Sequence, residues 1–244
     1  IPDLTFVADA NAVLACNAKP ILTDINKEDF FLSISNIKKN ITKKTKAIIP
    51  VHIYGQVCNI DEILDVAKDN NLKVIEDCAH AVGTFHKSKH AGTMGSTGCF
   101  SFYPTKNITT AEGGMVITNS KSIAEKVRQL RSHGMTRSLK SRYSSGYPWV
   151  FDILEPGYNY RLDEIRASLG ISQLRRIKKI NELRKKASTY YNKNLQDIPG
   201  IILPDIVNDR SHSYHLYTIR VTKDFKLSRN QLYKKFKNHG ITTT

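Results

Sequence analysis

Two kinds of hydrophobic pattern alternate in the central part of the chain. Four apolar residues recur at the spacing i, i+3, i+4, i+7, which predicts an amphipathic helix over residues 60–71. Apolar runs at 47–54 and 72–76 predict buried strands on either side of it. Because short loops connect the strand, the helix and the second strand, this segment is expected to form a βαβ unit with a parallel strand pair. The four residues are Ile60, Ile63, Leu64 and Ala67.

The same criteria predict elements along the rest of the chain. Residues 162–195 have one long apolar side, which predicts one helix or two, with Gly170 as the candidate interruption. Residues 138–156 are aromatic and basic and contain the only tryptophan, Trp149, so we interpret them as a long functional loop. Further helices are expected at 8–18, 123–134 and 228–239, a short helix and loop at 30–44, and further strands at 20–25, 98–103, 114–118 and 215–221.

This order of elements predicts an α/β protein in which helices pack on a sheet. The pattern changes after Pro199, where one strand and one helix look like the first half of a smaller α+β domain. We therefore divide the chain into a large α/β domain at 1–185 and an incomplete small domain at 186–244. With 244 residues and 40% apolar residues, the chain is long enough for a sizeable core.

The candidate chemistry is concentrated between residues 74 and 118. One apolar strand ends in Asp77, and a second strand breaks at Pro104 and presents Lys106 on the following turn. A pyridine cofactor needs such a pair, since the acid binds the ring nitrogen and the amine forms an imine. From the residues alone, a helix N-cap is an equal alternative for Asp77, and a surface charge is the alternative for Lys106.

Several motifs together resemble the PLP-dependent sugar aminotransferases of the DegT/DnrJ/EryC1/StrS family. They are the sequence DCAH at 77–80, the Ser101-Phe102 pair ahead of Lys106, and ITTAEGG at 108–114. The resemblance implies PLP-dependent transferase fold type I, a mixed and mostly parallel sheet flanked by helices, and a PLP-binding large domain. It also implies that Asp77 binds the pyridine nitrogen and that Lys106 carries the cofactor as an imine. The resemblance continues in family order through TFVA at 5–8, VHIYGQ at 51–56, GYNYR at 157–161 and residues 167–170.

The resemblance implies further cofactor contacts. His80 would touch the ring face or its phenolic oxygen, and the hydroxyl of Ser101 would bind the phosphate. Asn159 would reach across a dimer to the phosphate in the other subunit, and Phe6 would stack on the ring. The structural alternatives are a packed histidine, a turn serine, a turn asparagine and a core phenylalanine. Weaker candidates for sugar or cofactor contacts are Tyr54, Tyr103, Tyr158 and His215.

The function implied by the resemblance is transamination of a nucleotide-linked keto-sugar, with glutamate as the amino donor, in amino-sugar and surface-glycan biosynthesis. It implies a ping-pong cycle and a homodimer with shared active sites. The loop with Pro148 and Trp149 is most similar to members that aminate UDP-linked 4-keto-6-deoxy hexosamines. A catalytically silent or regulatory relative is one alternative. A PLP-dependent sugar dehydratase is another, although dehydratases of the family carry a histidine where this chain has Lys106.

Charge and cysteine content bear on the remaining classes of function and on the cellular compartment. The net charge is +15, from 37 Lys+Arg against 22 Asp+Glu, and it suits a substrate that carries a diphosphate. A basic nucleic-acid-binding protein is a third alternative, but no binding motif supports it, so we expect no nucleic-acid partner. Four scattered cysteines predict reduced thiols in a cytoplasm. No apolar run has membrane-spanning length, so no membrane partner is expected.

The two ends of the chain also carry an expectation. The chain starts at Ile1 and stops at Thr244, inside what look like family segments, so we interpret it as a piece of a longer protein. Family members carry a Gly-Thr/Ser segment upstream, where backbone N–H groups bind the cofactor phosphate. We therefore expect this piece alone to bind PLP weakly or not at all.

Overall fold

A computed structural model describes residues 1–136, 147, 149 and 151–243 of the chain. Its main sheet has four strands in the order β1-β2-β5-β6. The pairs β1–β2 and β2–β5 are parallel and β5–β6 is antiparallel, so the sheet is mixed and mostly parallel, as the sequence predicts. The strands are β1 Ala47–Ile48, β2 Lys73–Asp77, β3 Phe85–His86, β4 Lys89–His90, β5 Thr97–Ser101, β6 Gly114–Ile117, β7 Ile201–Ile202 and β8 Arg220–Val221.

The helices lie between and after these strands. The helix between β1 and β2 buries its apolar side and carries Asp61 and Glu62 in its first turn and Lys68 in its last, which complements the helix dipole. A short 3-10 helix, Ile53–Gly55, follows β1. The α-helices are α1 Ala8–Ala15, α2 Ile34–Asn40, α3 Ile60–Asp69, α4 Lys121–Leu130, α5 Glu164–Leu174, α6 Ile177–Leu195 and α7 Arg229–Asn238.

The predicted βαβ unit is confirmed. β1, α3 and β2 follow one another, and Ala47 pairs in parallel with Lys73. The core of the large part packs around this unit, because each apolar side chain removed from water contributes on the order of 1.5–3 kcal/mol. Its most deeply buried members include Phe31, Val57, Cys58, Ile60 and Ile63.

Element bounds differ from the prediction in several places. The long segment at 162–195 is two helices, and the break lies at Arg175–Arg176 rather than at Gly170. The strand predicted at 20–25 is reduced to single bridges at Thr23 and Ile25, because no neighbouring strand runs alongside it for longer. The predicted strand at 215–221 is short for the same reason and consists of β8 alone. The β3–β4 hairpin was not predicted.

The C-terminal part begins with the antiparallel pair β7–β8 and ends with α7, whose N-cap Ser228 forms a capping box with Gln231. The predicted domain boundary at residue 185 lies inside α6, and the division into two domains stays a prediction. Most of the predicted loop at 138–156, including Pro148, lies outside the described residues. Among the described residues, none of the helices combines the length and the apolar character needed to cross a membrane.

Candidate active site

The site lies where two parallel strands end side by side. Asp77 is the last residue of β2 and pairs with Cys99 of β5, and Ser101 ends β5 two residues later. Carboxyl ends of neighbouring parallel strands form the edge at which α/β proteins bind ligands. The register of the two strands therefore brings one acid and one hydroxyl to the same edge. The Ser101 hydroxyl accepts a bond from the N–H of Tyr103 at 3.3 Å, and Ser101 is partly buried.

Asp77 is fixed by a turn that follows its strand. Its Oδ1 accepts a hydrogen bond from the N–H of Ala79 at 2.8 Å, and no helix follows, so the N-cap alternative does not describe this residue. Burial and the neighbouring Asp9 raise the pKa of Asp77 to about 6, against the lowering effects of the Ala79 N–H, His52 and Lys106.

Lys106 lies on the turn after β5, partly buried, with its N–H bonded to the carbonyl of Tyr103 at 3.0 Å. Burial lowers the pKa of the Lys106 amine, and the negative charge of Asp77 acts in the opposite direction. Asp77 and Lys106 thus lie within electrostatic reach of one another although 29 positions separate them in the printed sequence, 77 against 106. A lysine with a lowered pKa has more of the neutral amine that covalent chemistry requires.

A pair of neutral histidines borders the same site. The rings of His80 and His215 lie 4.2 Å apart between centroids with an interplanar angle of 31°. Burial, His215 and Lys106 lower the pKa of His80 to about 3. Burial, Lys106 and Arg184 lower the pKa of His215 to about 4. Both rings are therefore uncharged at neutral pH, which suits contact with a flat aromatic group.

Glu76 anchors the strand end, and sequence reasoning missed it. The side chain is fully buried, and its two oxygens accept bonds from His52 Nε2 at 2.9 Å, from the N–H groups of Gly92 and Met94 at 2.8 Å, and from the N–H of Gly95. Burial raises the pKa of Glu76, but the hydrogen bonds from His52 and from the N–H groups of Gly95 and Gly92 outweigh burial and lower it.

The cluster of His52, Glu76 and Cys78 brings three potential metal ligands within 4.8 Å of one another. His52 Nδ1 already accepts the N–H of Cys58 at 3.2 Å, and both oxygens of Glu76 are engaged. The cluster is therefore a hydrogen-bonded anchor that leaves no free lone pair of His52 for a metal ion.

Asn107 is a second residue that sequence reasoning missed. It is buried next to Lys106, and its Nδ2 donates to Asn181 Oδ1 at 3.0 Å and to the Ser213 carbonyl at 2.8 Å. Its Oδ1 lies 3.2 Å from His215 Nδ1. One side chain thus joins the lysine turn to α6 and to the C-terminal segment. Its position after the candidate lysine was the one available signal.

The backbone of the lysine turn is also held from α5. The side chain of Gln173 bonds to both the N–H and the carbonyl of Thr109. A Cβ at Gly170 would lie 2.9 Å from the Thr110 methyl group, so glycine lets the helix approach the turn closely. This is the reason that Gly170 lies inside α5 rather than at its end.

The two remaining predicted site residues, Phe6 and Asn159, are exposed on the surface of the chain. Phe6 is 76% exposed, just ahead of α1, and its carbonyl accepts the N–H of Asp9. Asn159 is exposed and forms a backbone bridge with Ser132. Among the described contacts, none joins Phe6 or Asn159 to Asp77 or Lys106. Their roles stay predictions.

The weaker candidates divide into two groups. Tyr54 lies at the site, because its N–H donates to His80 Nδ1 at 3.2 Å, and its φ of 59° is a strained value for an aromatic residue. His215 also lies at the site, because its ring packs against the ring of His80 at a tilt of 31°. Tyr103 and Tyr158 are exposed, and Tyr158 stacks on Tyr160 at 4.8 Å.

A comparison of the whole chain with known families decides its membership. The profile of the DegT/DnrJ/EryC1/StrS aminotransferase family matches residues 1–244. The chain belongs to this family. A GDP-perosamine synthase of Caulobacter vibrioides is 38% identical over 242 residues, which are 99% of this chain and 62% of that protein. An uncharacterized protein of Methanocaldococcus jannaschii is 43% identical over 241 residues, which are 98% of this chain and 62% of that protein.

Solved structures of this aminotransferase family have the same fold. The Streptococcus pneumoniae protein Spr1654 in its PMP form superposes with a TM-score of 0.91 at 28% identity, over 99% of this chain and 65% of that one. The fold is therefore that of the PLP-dependent aminotransferases. The chain spans about 62% of the length of the two curated relatives.

The residues of the site fit a PLP molecule. A buried carboxyl, an amine with a lowered pKa, uncharged histidine rings and a strand-end hydroxyl are the groups that a pyridine ring, an aldehyde and a phosphate would meet. In this family member, Asp77 would hold the ring nitrogen, Lys106 the aldehyde carbon, His80 the ring face and Ser101 the phosphate.

Proposed function

We propose that the full-length protein is a PLP-dependent aminotransferase that moves an amino group from glutamate to a nucleotide-linked keto-sugar, for amino-sugar and surface-glycan biosynthesis. The observation that supports this proposal is the placement of Asp77, at the end of β2, and Lys106, on the turn after the neighbouring strand β5, at one edge of the sheet. PLP, when bound, supplies the electron sink for the C–H bond that transamination breaks.

The residues of the chain have distinct tasks in this proposal. Asp77 keeps the ring nitrogen protonated. Lys106 would hold the cofactor, and its neutral amine would move the proton at the substrate carbon. Burial supports this task, because it lowers the pKa of Lys106 toward neutral pH. His80 covers the ring as a neutral group, and Ser101 donates to the phosphate.

A cleft beside the site suits the sugar part of the proposed substrate. Its lining includes Phe30, Tyr54, His212 and Arg220, and also the three acids Glu28, Asp29 and Asp205. The Arg220 guanidinium lies 5.5 Å from the centre of the Phe30 ring, and Phe30 meets Tyr54 edge-on at 5.9 Å. Aromatic faces suit a sugar or a base. Tyr54 connects the cleft to His80 and so to the cofactor position.

Exposed apolar side chains support the proposed homodimer. Ile165 is 82% exposed, Tyr160 69% and Leu154 68%, and all three lie near Asn159 in the sequence. Large exposed apolar side chains of this kind mark interaction surfaces. We therefore propose that Asn159 completes the site of the second subunit. The four cysteines are free thiols, which suits a reducing compartment, and we place the enzyme in the cytoplasm.

The test is a two-part assay with the full-length protein loaded with PLP. Glutamate alone should convert the cofactor to its amine form and release 2-oxoglutarate, and a keto-sugar nucleotide should then reverse the change and yield an amino sugar. A panel of UDP-, GDP- and dTDP-linked keto-sugars, read by mass spectrometry, identifies the acceptor. A protein that binds PLP but fails the glutamate step is a silent relative, and one that releases a deoxygenated sugar is a dehydratase.

A further inference from the structure

The two histidine rings that pack together at the site make different hydrogen bonds through their Nδ1 atoms. His80 Nδ1 lies 3.2 Å from the backbone nitrogen of Tyr54, whose N–H can only donate. His80 Nδ1 is therefore the acceptor, and a neutral His80 carries its proton on Nε2. His215 Nδ1 lies 3.2 Å from Oδ1 of Asn107, so the orientation of that amide decides the role of this nitrogen.

The orientation of the Asn107 amide is fixed by a backbone carbonyl. Its Nδ2 lies 2.8 Å from the carbonyl oxygen of Ser213, which can only accept, so this end of the amide is the NH2 group. The same Nδ2 donates to Asn181 Oδ1 at 3.0 Å, and Asn181 Nδ2 donates to the carbonyl of Val82 at 3.2 Å. The oxygen of Asn107 consequently faces His215, and His215 Nδ1 is the donor.

The two rings are therefore opposite tautomers when both are neutral. His80 has a proton on Nε2, whereas His215 has a lone pair on Nε2. Among the described residues, none bonds to either Nε2 atom, and neither atom belongs to the buried polar atoms that lack a partner. Both Nε2 atoms thus reach open space, on rings whose centroids are 4.2 Å apart. The low pKa values of the two histidines keep this arrangement uncharged at pH 7.

We propose that His215 is a ligand-binding residue whose Nε2 lone pair accepts a hydrogen bond from an N–H or O–H group of a substrate. Asn107 is the positioning residue that fixes this lone pair, and His80 offers an N–H donor beside it. The inference rests on the proposed function for the identity of the ligand, in which the amine of glutamate and the hydroxyls of the sugar are the available donors.

The charge of Lys106 and the chemistry of the pair are consistent with this role. Lys106 lies near enough for its charge to act on both rings, so a substrate that reacts at Lys106 would meet the pair. A neutral lone pair accepts from an amine or a hydroxyl, whereas an imidazolium or the other tautomer of His215 would direct an N–H at the same group. A ligand that presents only acceptors there would leave its own groups unpaired, and the fixed tautomer therefore favours hydrogen-bond donors.

The first test is nitrogen-15 NMR at pH 7 on the full-length protein without cofactor, labelled at histidine. Protonated and lone-pair nitrogens of imidazole have well-separated shifts, and the spectra of His80→Gln and His215→Gln assign the signals. The wild type should have its lone pairs on Nδ1 of His80 and on Nε2 of His215. Asn107→Ala should distribute the His215 proton over both nitrogens, because its acceptor is gone, whereas the exposed Asn194→Ala should leave the proton on Nδ1.

The second test separates the lone pair from the ring in the full-length protein loaded with PLP. His215→Phe keeps an aromatic ring against His80 without a lone pair, and His215→Gln keeps an acceptor without the ring. His215→Phe should slow a half-reaction about tenfold, the effect of one lost hydrogen bond, and His215→Gln should retain more of the rate. A loss in the glutamate step identifies the amine as the bound donor, and a loss confined to the keto-sugar step identifies a sugar hydroxyl.

Two results would each overturn the proposal. One is a wild-type spectrum with the proton on Nε2 of His215, and the other is a His215→Phe variant that runs both half-reactions at the wild-type rate. If the wild type itself fails the glutamate step, the proposed function fails, and the His215 Nε2 signal then decides the binding role. A shift of that signal on saturation with glutamate or with a UDP-, GDP- or dTDP-linked keto-sugar supports the role, and a signal unchanged by all of them refutes it.

Discussion

At the scale of single residues, some groups of the site can be predicted from the sequence and others cannot. Asp77, His80 and Lys106 are predictable because each lies in a short motif at the end of a strand or on a turn. The set of hydrogen-bond donors around Glu76, which we call the cage, is not predictable from the sequence. These donors come from a loop 16 to 19 positions away and from His52. Contacts of that separation depend on tertiary packing, which local patterns do not encode.

The cage around Glu76 gives a stability prediction. Glu76→Gln should lower the free energy of unfolding by about 2–4 kcal/mol, because the new amide would point N–H groups at existing donors. Urea denaturation measures the loss, with the exposed Glu125→Gln as control. The depressed pKa makes the wild-type contribution present above the usual value of 4.5 and lost as the pH falls. Equal stability of both variants would show that the cage is not an anchor.

The histidine pair gives a pH prediction. The pKa values of about 3 for His80 and about 4 for His215 lie below the usual 6.5, so the unfolded chain binds more protons below pH 6.5. Stability should therefore fall as the pH drops from 6.5 toward 4, by up to about 1.4 kcal/mol per pH unit for each histidine.

The raised pKa of Asp77 acts in the opposite sense between pH 3.8 and about 6, so the histidine effect is isolated by comparing variants. Thermal melting of His80→Gln and His215→Gln across this range should show a shallower slope than that of the wild type. A slope that is unchanged in both variants would contradict neutral, buried rings. The exposed His239→Gln is the control.

At the scale of elements, the βαβ unit follows from periodicity, whereas the lengths of the other strands do not. The long helical pattern at 162–195 continues through Gly170 because that glycine packs against the lysine turn. Whether a glycine ends a helix or lets another segment pack closely against the helix depends on the tertiary structure around it. The contacts of Asn107 could not be predicted from the sequence either, because its partners lie 74 and 106 positions away along the chain.

Asn107 gives the prediction at this scale. Asn107→Ala should cost about 2–3 kcal/mol of stability, because the Ser213 carbonyl and Asn181 lose a buried partner. It should also weaken PLP binding, since the turn that carries Lys106 loses its link to α6. Urea denaturation and absorbance titration measure the two effects. The exposed Asn194→Ala should change stability by less than about 0.5 kcal/mol, and similar losses in both variants would refute the linking role.

At the scale of the whole molecule, the fold was predictable because the family motifs extend along almost the entire chain. The shared site could be proposed only through the resemblance, since Asn159 is exposed and none of the described contacts of a single chain joins it to Asp77 or Lys106. The net charge of +15 agrees with a phosphorylated substrate, although charge alone selects no sugar.

A mixing experiment tests the shared site. Full-length Lys106→Ala and Asn159→Ala variants should each be inactive or weakly active. After unfolding and refolding together, random pairing should restore roughly a quarter of wild-type activity, because each mixed dimer regains one intact site of two. Each variant refolded alone is the control. Activity that remains at the level of these controls would place all residues of a site in one subunit.

The central claim is that Lys106 holds PLP opposite Asp77. Full-length protein incubated with PLP is reduced with borohydride, digested and analysed by mass spectrometry. We predict a pyridoxyl group on the peptide that contains Lys106, and no such group there in Lys106→Ala, while the exposed Lys121→Ala is labelled like the wild type. Stoichiometric label on a different lysine, or none after saturation with PLP, would contradict the account.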